Sequence, residues 1–140
     1  VPVRHLLPYW KTSNRYLFSG GSVNMRDAAV YAKEENWSKA VELWKQTYET
    51  KKGKQKMYAA YNTALGYEMQ DSIDTALEWA LKAQTLAREK SKTDKKETGE
   101  IHNGTISYYI FISMYVDELE KRKEGMARLN MQMNRFDDDF

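Results

Sequence analysis

The chain has 140 residues, with 22 Lys+Arg against 20 Asp+Glu, 41% hydrophobic residues and no cysteine. That length suits one domain with a core burying about 68–70% of the unfolded surface. The lack of cysteine excludes a disulfide framework, a cysteine-bound zinc site and a thiol nucleophile. A net charge of +2 lacks the one-sided basic excess of a nucleic-acid binder.

Leu, Ile, Val and Phe make up only 25 of the 140 residues, while 12 Ala, 10 Tyr, 7 Met and 4 Trp fill the apolar share. Rings packed against small residues suit closely crossing helices. Residues 1–20 hold both prolines and show little periodicity, so they read as an irregular lead-in with at most one helical turn. The opening Val1-Pro2-Val3 lacks an initiator Met, which points to a piece of a longer protein whose targeting signal lies elsewhere. Gly20-Gly21 ends the lead-in, and Ser22 or Asn24 caps a first helix over 23–35.

Asn36 caps a second helix over 37–50 with the stripe Trp37, Ala40, Val41, Trp44 and Tyr48. Lys51-Lys52-Gly53-Lys54 separates it from a third helix, 55–70, which is apolar at Tyr58, Tyr61, Ala64 and Leu65 and ends on Glu68. Asp71-Ser72-Ile73-Asp74 reads as a capping box opening a fourth helix, 73–90. Residues 91–99 are polar and loop-like. A long last helix spans 100–134 with the stripe Ile112, Tyr115, Leu119, Arg122, Met126, Leu129 and Met133, and Gly125 is a point where it bends or stops. Residues 135–140 form a frayed acidic tail, so the domain proper is 21–134. The most apolar stretch, Ile106 to Val116, is 11 residues long, short of the about 20 that a membrane span needs. The lysines at 51–56 and 90–96 fall in connections and read as solvated.

Little in the chain carries chemistry. His5 and His102 have no relay partner, and no nucleotide-, metal- or serine-hydrolase motif occurs, so no catalytic, cofactor or metal site is expected. Asp71 and Asp74 are explained as caps. Asn36-Trp37-Ser38 and Asn103-Gly104-Thr105 match the N-glycosylation sequon.

The most specific signal is a repeat. Ala28 and Ala64, Tyr31 and Tyr67, and Ala40 and Ala76 each stand 36 residues apart, which means stacked helix pairs. This pattern over residues 21–90 resembles the tetratricopeptide repeat, in which small residues let paired helices approach and an aromatic fills the gap. Trp44 keeps a second aromatic position that becomes Ala80 in the other copy. The spacing is two longer than usual, the early Trp and Leu are replaced by Asn24/Ala60 and Asp27/Thr63, and the closing proline is absent. The fold expected is therefore all-α: a short tetratricopeptide-like solenoid of two helix pairs plus a long C-terminal helix.

The resemblance implies a protein- or peptide-binding concave face at Tyr58, Tyr61, Asn62, Leu65, Glu68 and Met69, with Arg26 from the first copy. In a chain of only two repeats the alternative is that Tyr58, Tyr61 and Leu65 are buried against the lead-in or the long last helix. Asn62 matches the asparagine of a carboxylate clamp, but Met25 and Ala29 replace the clamp's other polar residues. Wording such as RYLFSGG, NWSKAVELW and AAYNTALGYEMQDSIDTALEWALKA is also similar to the C-terminal repeat region of cell-envelope lipoproteins of Bacteroidetes. That likeness implies an envelope location through an anchor outside this chain, and it makes Ser72 and Thr75 candidates for a short O-glycosylation pattern. The function expected is a non-enzymatic interaction module with a protein or peptide partner. The alternative is a glycan-binding module using surface Trp and Tyr.

Overall fold

A computed structural model of the protein describes residues 6–10, 14–98 and 103–138, with side chains over 15–93 and 108–135. Among these residues two short strands, β1 (Leu6–Trp10) and β2 (Asn14–Phe18), precede five helices: α1 (Val23–Lys33), α2 (Trp37–Thr50), α3 (Lys54–Met69), α4 (Ile73–Thr98) and α5 (Asn103–Asp138). The fold is all-α in its body. Successive helices pack in chain order, with α3 between α2 and α4, and α5 against α4.

The two helix pairs repeat down to their turns. α1 ends with Glu35 at φ 61° and α3 with Asp71 at φ 62°. In the first turn the N–H groups of Glu35 and Asn36 donate to the carbonyls of Ala32 and Tyr31. In the second, those of Asp71 and Ser72 donate to Glu68 and Tyr67. Both are Schellman closures with an acidic residue in the left-handed position. Each turn places the next cap, and Asn36 accepts from the Lys39 N–H at 3.3 Å. Asp71 thus stands in the turn that closes α3, two residues before α4 begins at Ile73. Asp74 lies in the first turn of α4 and meets Lys123 at 3.1 Å.

The small residues do what the spacing requires. Ala28, Ala40, Ala64, Ala76, Ala80 and Ala83 are fully buried, as is Trp44. Gly66 brings α3 onto α2 so closely that a Cβ there would stand 2.3 Å from Val41 Cγ2. Tyr31 and Tyr67 are half-buried beneath the Lys39 and Lys45 ammonium groups, at 5.5 and 5.2 Å from the ring centres.

Three expectations are corrected. The lead-in is not irregular: Leu6–Trp10 and Asn14–Phe18 pair antiparallel, Leu6 opposite Phe18 and Trp10 opposite Asn14. Leu, Tyr, Trp and Phe favour strands, and Pro8 is tolerated because β1 is an edge. Residues 91–98 are not a loop. α4 continues through them, with the Ser91 and Thr93 hydroxyls bonded back to the Ala87 and Glu89 carbonyls. Finally, α5 runs unbroken past Gly125 to Asp138, into the stretch read as a tail.

Candidate functional site: a strand held in a helical face

The inner face of α3 is occupied. Strand β2 lies along it, and α5 closes the other side. A strand has two edges, and the one that β1 does not pair must find partners or water. Side chains of α3 supply them. Asn62 accepts the Phe18 N–H at 2.9 Å and donates to the Phe18 carbonyl at 2.7 Å. Tyr61 donates its hydroxyl to the Tyr16 carbonyl. Asn62 and Tyr61 thus act as a third strand, reading backbone groups at alternate residues of β2.

Anchors fix each end. At one end the Phe18 ring stacks on Tyr58 at 4.1 Å and meets Tyr61, Tyr108 and Phe111 edge-on at 5.3 to 6.1 Å. Tyr58 and Tyr108 share a hydroxyl bond of 2.7 Å behind it. At the other end Arg15, 6% exposed, forks onto fully buried Glu68 at 3.0 and 3.1 Å. The Tyr115 hydroxyl donates to the same carboxylate at 2.9 Å, and Arg122 reaches it from α5. The Arg15 guanidinium also lies 5.4 Å from the centre of the Tyr115 ring.

One carboxylate between two guanidiniums in a nearly dry site is held by charge-assisted bonds. Burial works against the Arg15 charge, yet the Glu68 bond and charge leave its proton held more tightly than usual. Burial raises the Tyr61 and Tyr115 phenols well above their ordinary value of 10.0, with the Glu68 charge adding to it. Tyr58 is raised as well, by burial and then by its bond to Tyr108.

Of the residues expected on an open concave face, Tyr58, Tyr61, Asn62, Leu65 and Glu68 come together but are buried. Their face is covered by β2 and α5, so it is not open to solvent, which corrects that part of the expectation. Met69 is half-buried at the end of α3, and Arg26 is exposed on α1. Beside the strand an apolar notch of 160 Å³ remains between Tyr16, Tyr61, Phe111, Met114 and Tyr115. Burial of Tyr58, Tyr61 and Leu65 against the lead-in and the last helix is the alternative that the sequence offers, but Arg15, Phe18, Tyr108, Tyr115 and Arg122 are not singled out there as the individual partners. The available signal was complementary: Glu68 ends one apolar stripe, and Arg122 is the single charge inside another.

Among the described side chains Tyr16 is the one exposed ring, Trp44 is buried, and Trp37 and Trp79 are half-buried, Trp79 meeting Tyr48 edge-on at an interplanar angle of 81°. Asn36 is engaged as a cap, Ser72 is exposed, and Thr75 is half-buried in the first turn of α4. His5 and His102 lie outside the described residues. Among those described, no three His, Asp or Glu side chains gather as a metal ion would need, and no helix is long and apolar enough to cross a membrane.

The sequence model of one family, the domain of unknown function DUF6340, matches residues 26–121. No curated protein and no solved structure matches the chain.

Proposed function

The chain belongs to the DUF6340 family, and from that premise we propose that it is a non-enzymatic interaction module whose helical layer binds an extended polypeptide segment. One observation carries this reading. The α3 face engages β2 as a receptor engages a peptide, with Asn62 and Tyr61 on its backbone and with Glu68 and Tyr58 on its side chains. Backbone bonds supply affinity in strand recognition, and pockets for particular side chains supply selectivity. The occupant is the chain's own Arg15–Phe18, so the pattern recognised is an Arg three residues before a Phe.

The module serves as a scaffold within a larger cell-envelope protein. That placement is supported by the likeness of its repeat wording to envelope lipoproteins, and the tetratricopeptide-like register of Ala28/Ala64 and Ala40/Ala76 supports the interaction class.

A labelled peptide of sequence Ser-Asn-Arg-Tyr-Leu-Phe-Ser tests the binding. In the full chain carrying Phe18→Ala, which loosens the resident strand, the peptide should bind and raise fluorescence anisotropy. Adding Asn62→Ala should abolish the signal, and a scrambled peptide should give none. Absence of binding to a chain that circular dichroism shows folded overturns the reading. If Phe18→Ala does not fold, a photoreactive version of the peptide added to the wild-type chain decides by whether it crosslinks to α3.

A further inference from the structure

We propose that the α3 slot exchanges its strand with a second copy of the chain, so that two copies form a closed pair, each holding the other's Arg15–Phe18. This rests on the segment-binding reading above and names its partner.

Four observations lead to it. The occupant that fits the slot is seen in it, and a second copy offers the identical strand. The hairpin leaves as a unit, because β1 pairs with β2 alone in a two-stranded sheet. It is joined to α1 only through residues 19–22, which include Gly20-Gly21. Gly21 sits at φ 121°, a backbone state that suits glycine.

The Gln55 side chain packs so closely on Gly21 that a Cβ there would fall 2.1 Å from it, and Gln55 Oε1 is buried with no hydrogen-bond partner among the described residues. Opening the hinge lets water reach that oxygen, at the cost of the slot contacts.

Departure of the strand does not orphan the deepest charge. When Arg15 leaves, Glu68 keeps the Arg122 guanidinium and the Tyr115 hydroxyl, both carried by α5. The usual heavy penalty for stripping a buried carboxylate of its partner is thereby reduced. What opening does cost is exposure of Leu17 and Phe18, both fully buried. That exposure makes the open chain seek another slot instead of persisting alone. Exchange restores every contact twice, and a reciprocal swap closes on a two-fold axis without growing further.

The experiment mixes two preparations of the full chain, one labelled with heavy isotopes, and follows them by native mass spectrometry over a range of protein concentrations. Dimers of mixed mass are expected. Deleting Gly20 shortens the hinge and should raise the dimer fraction roughly tenfold, since a strained short hinge favours swapping. Asn62→Ala weakens the closed monomer and the exchanged pair alike, so it should leave the dimer fraction about as it was. It should speed the appearance of mixed-mass dimers, because the strand leaves its slot more easily.

Monomers alone at every concentration, in the wild type and in the Gly20-deleted chain, overturn the proposal. So do dimers whose rate of mixing is unchanged by Asn62→Ala, which would be built on another surface. If the deletion does not fold, wild-type mixing decides. Peptide binding without mixed dimers removes the exchange and leaves the segment-binding reading intact. Loss of both removes the slot as a recognition site.

Discussion

Asn62 and Phe18 face each other with complementary pairs: the amide oxygen takes the Phe18 N–H at 2.9 Å, and the amide nitrogen gives to the Phe18 carbonyl at 2.7 Å. Asparagine carries the smaller of the two side-chain amides, the groups that offer a separate donor and acceptor as a strand edge does. Buried on α3, it lets a helix stand in for a neighbouring strand.

Asn62→Ala should therefore loosen the hairpin more than loss of one contact implies. Two backbone groups are left buried and unpaired, each costing about 1–3 kcal/mol. Hydrogen exchange reads this directly: the Phe18 amide should lose protection while the amides of α2 keep theirs. Undiminished protection at Phe18 would show that its bond to Asn62 contributes nothing.

Glu68 and Asp74 make a contrasting pair. Glu68→Gln leaves the Arg15 and Arg122 guanidiniums without their shared carboxylate and should cost about 3–5 kcal/mol. Asp74→Asn breaks a pair whose members are 57% and 79% exposed and should cost under about 1 kcal/mol. Urea melts of both chains check the difference.

The buried phenols set an alkaline limit. Tyr58, Tyr61 and Tyr115 hold their protons above the ordinary value of 10.0 when folded. Below that value all three are neutral in both states, and their contribution is intact. As pH rises past it, the unfolded chain releases protons that the folded chain retains, so stability falls. The urea midpoint should drop between about pH 9 and pH 11, and Tyr115→Phe should drop less over the same interval.

The two helix turns carry a removable strain. Glu35 and Asp71 occupy left-handed backbone at φ 61° and 62°, which costs an L-residue about 1–2 kcal/mol. Glu35→Gly should raise the melting temperature by about 2–4 °C, the equivalent of about 1 kcal/mol at this size. An unchanged or lower midpoint would mean that glycine's added freedom in the unfolded chain cancels the gain.

The helices were legible wherever caps and periodicity agreed. Asn36 before Trp37 and the lysine-rich break after Thr50 mark α2 residue for residue. The 36-residue register of alanines gave the pairing of helices. Residues 91–98 misled because their polarity suggests a loop, whereas Lys, Glu and Thr extend an exposed helix once α4 has begun. The hairpin was illegible for a different reason. Leu17, Phe18 and Arg15 are buried together, which erases the in–out alternation that marks a strand. The candidate site was half legible. Its α3 side could be named from repeat position and the lead-in or last helix could be offered as its cover, but the repeat does not reveal that Arg15 and Phe18 are the residues that fill it.

The stripe on α5 is buried at Ile112, Tyr115 and Leu119, then emerges into water at Met126, Leu129 and Met133. Its chemistry divides the seven methionines by their access to oxidants. Met25 and Met57 are sealed in the core, whereas Met114, Met126, Met131 and Met133 are exposed along one helix. Peroxide reaching the isolated chain would add oxygen to those four first, turning apolar thioethers into polar sulfoxides. The oxidative sensitivity of the molecule is thus concentrated on α5, at Met126, Met131 and Met133 on its outward part and at Met114 in the wall of the notch beside the strand.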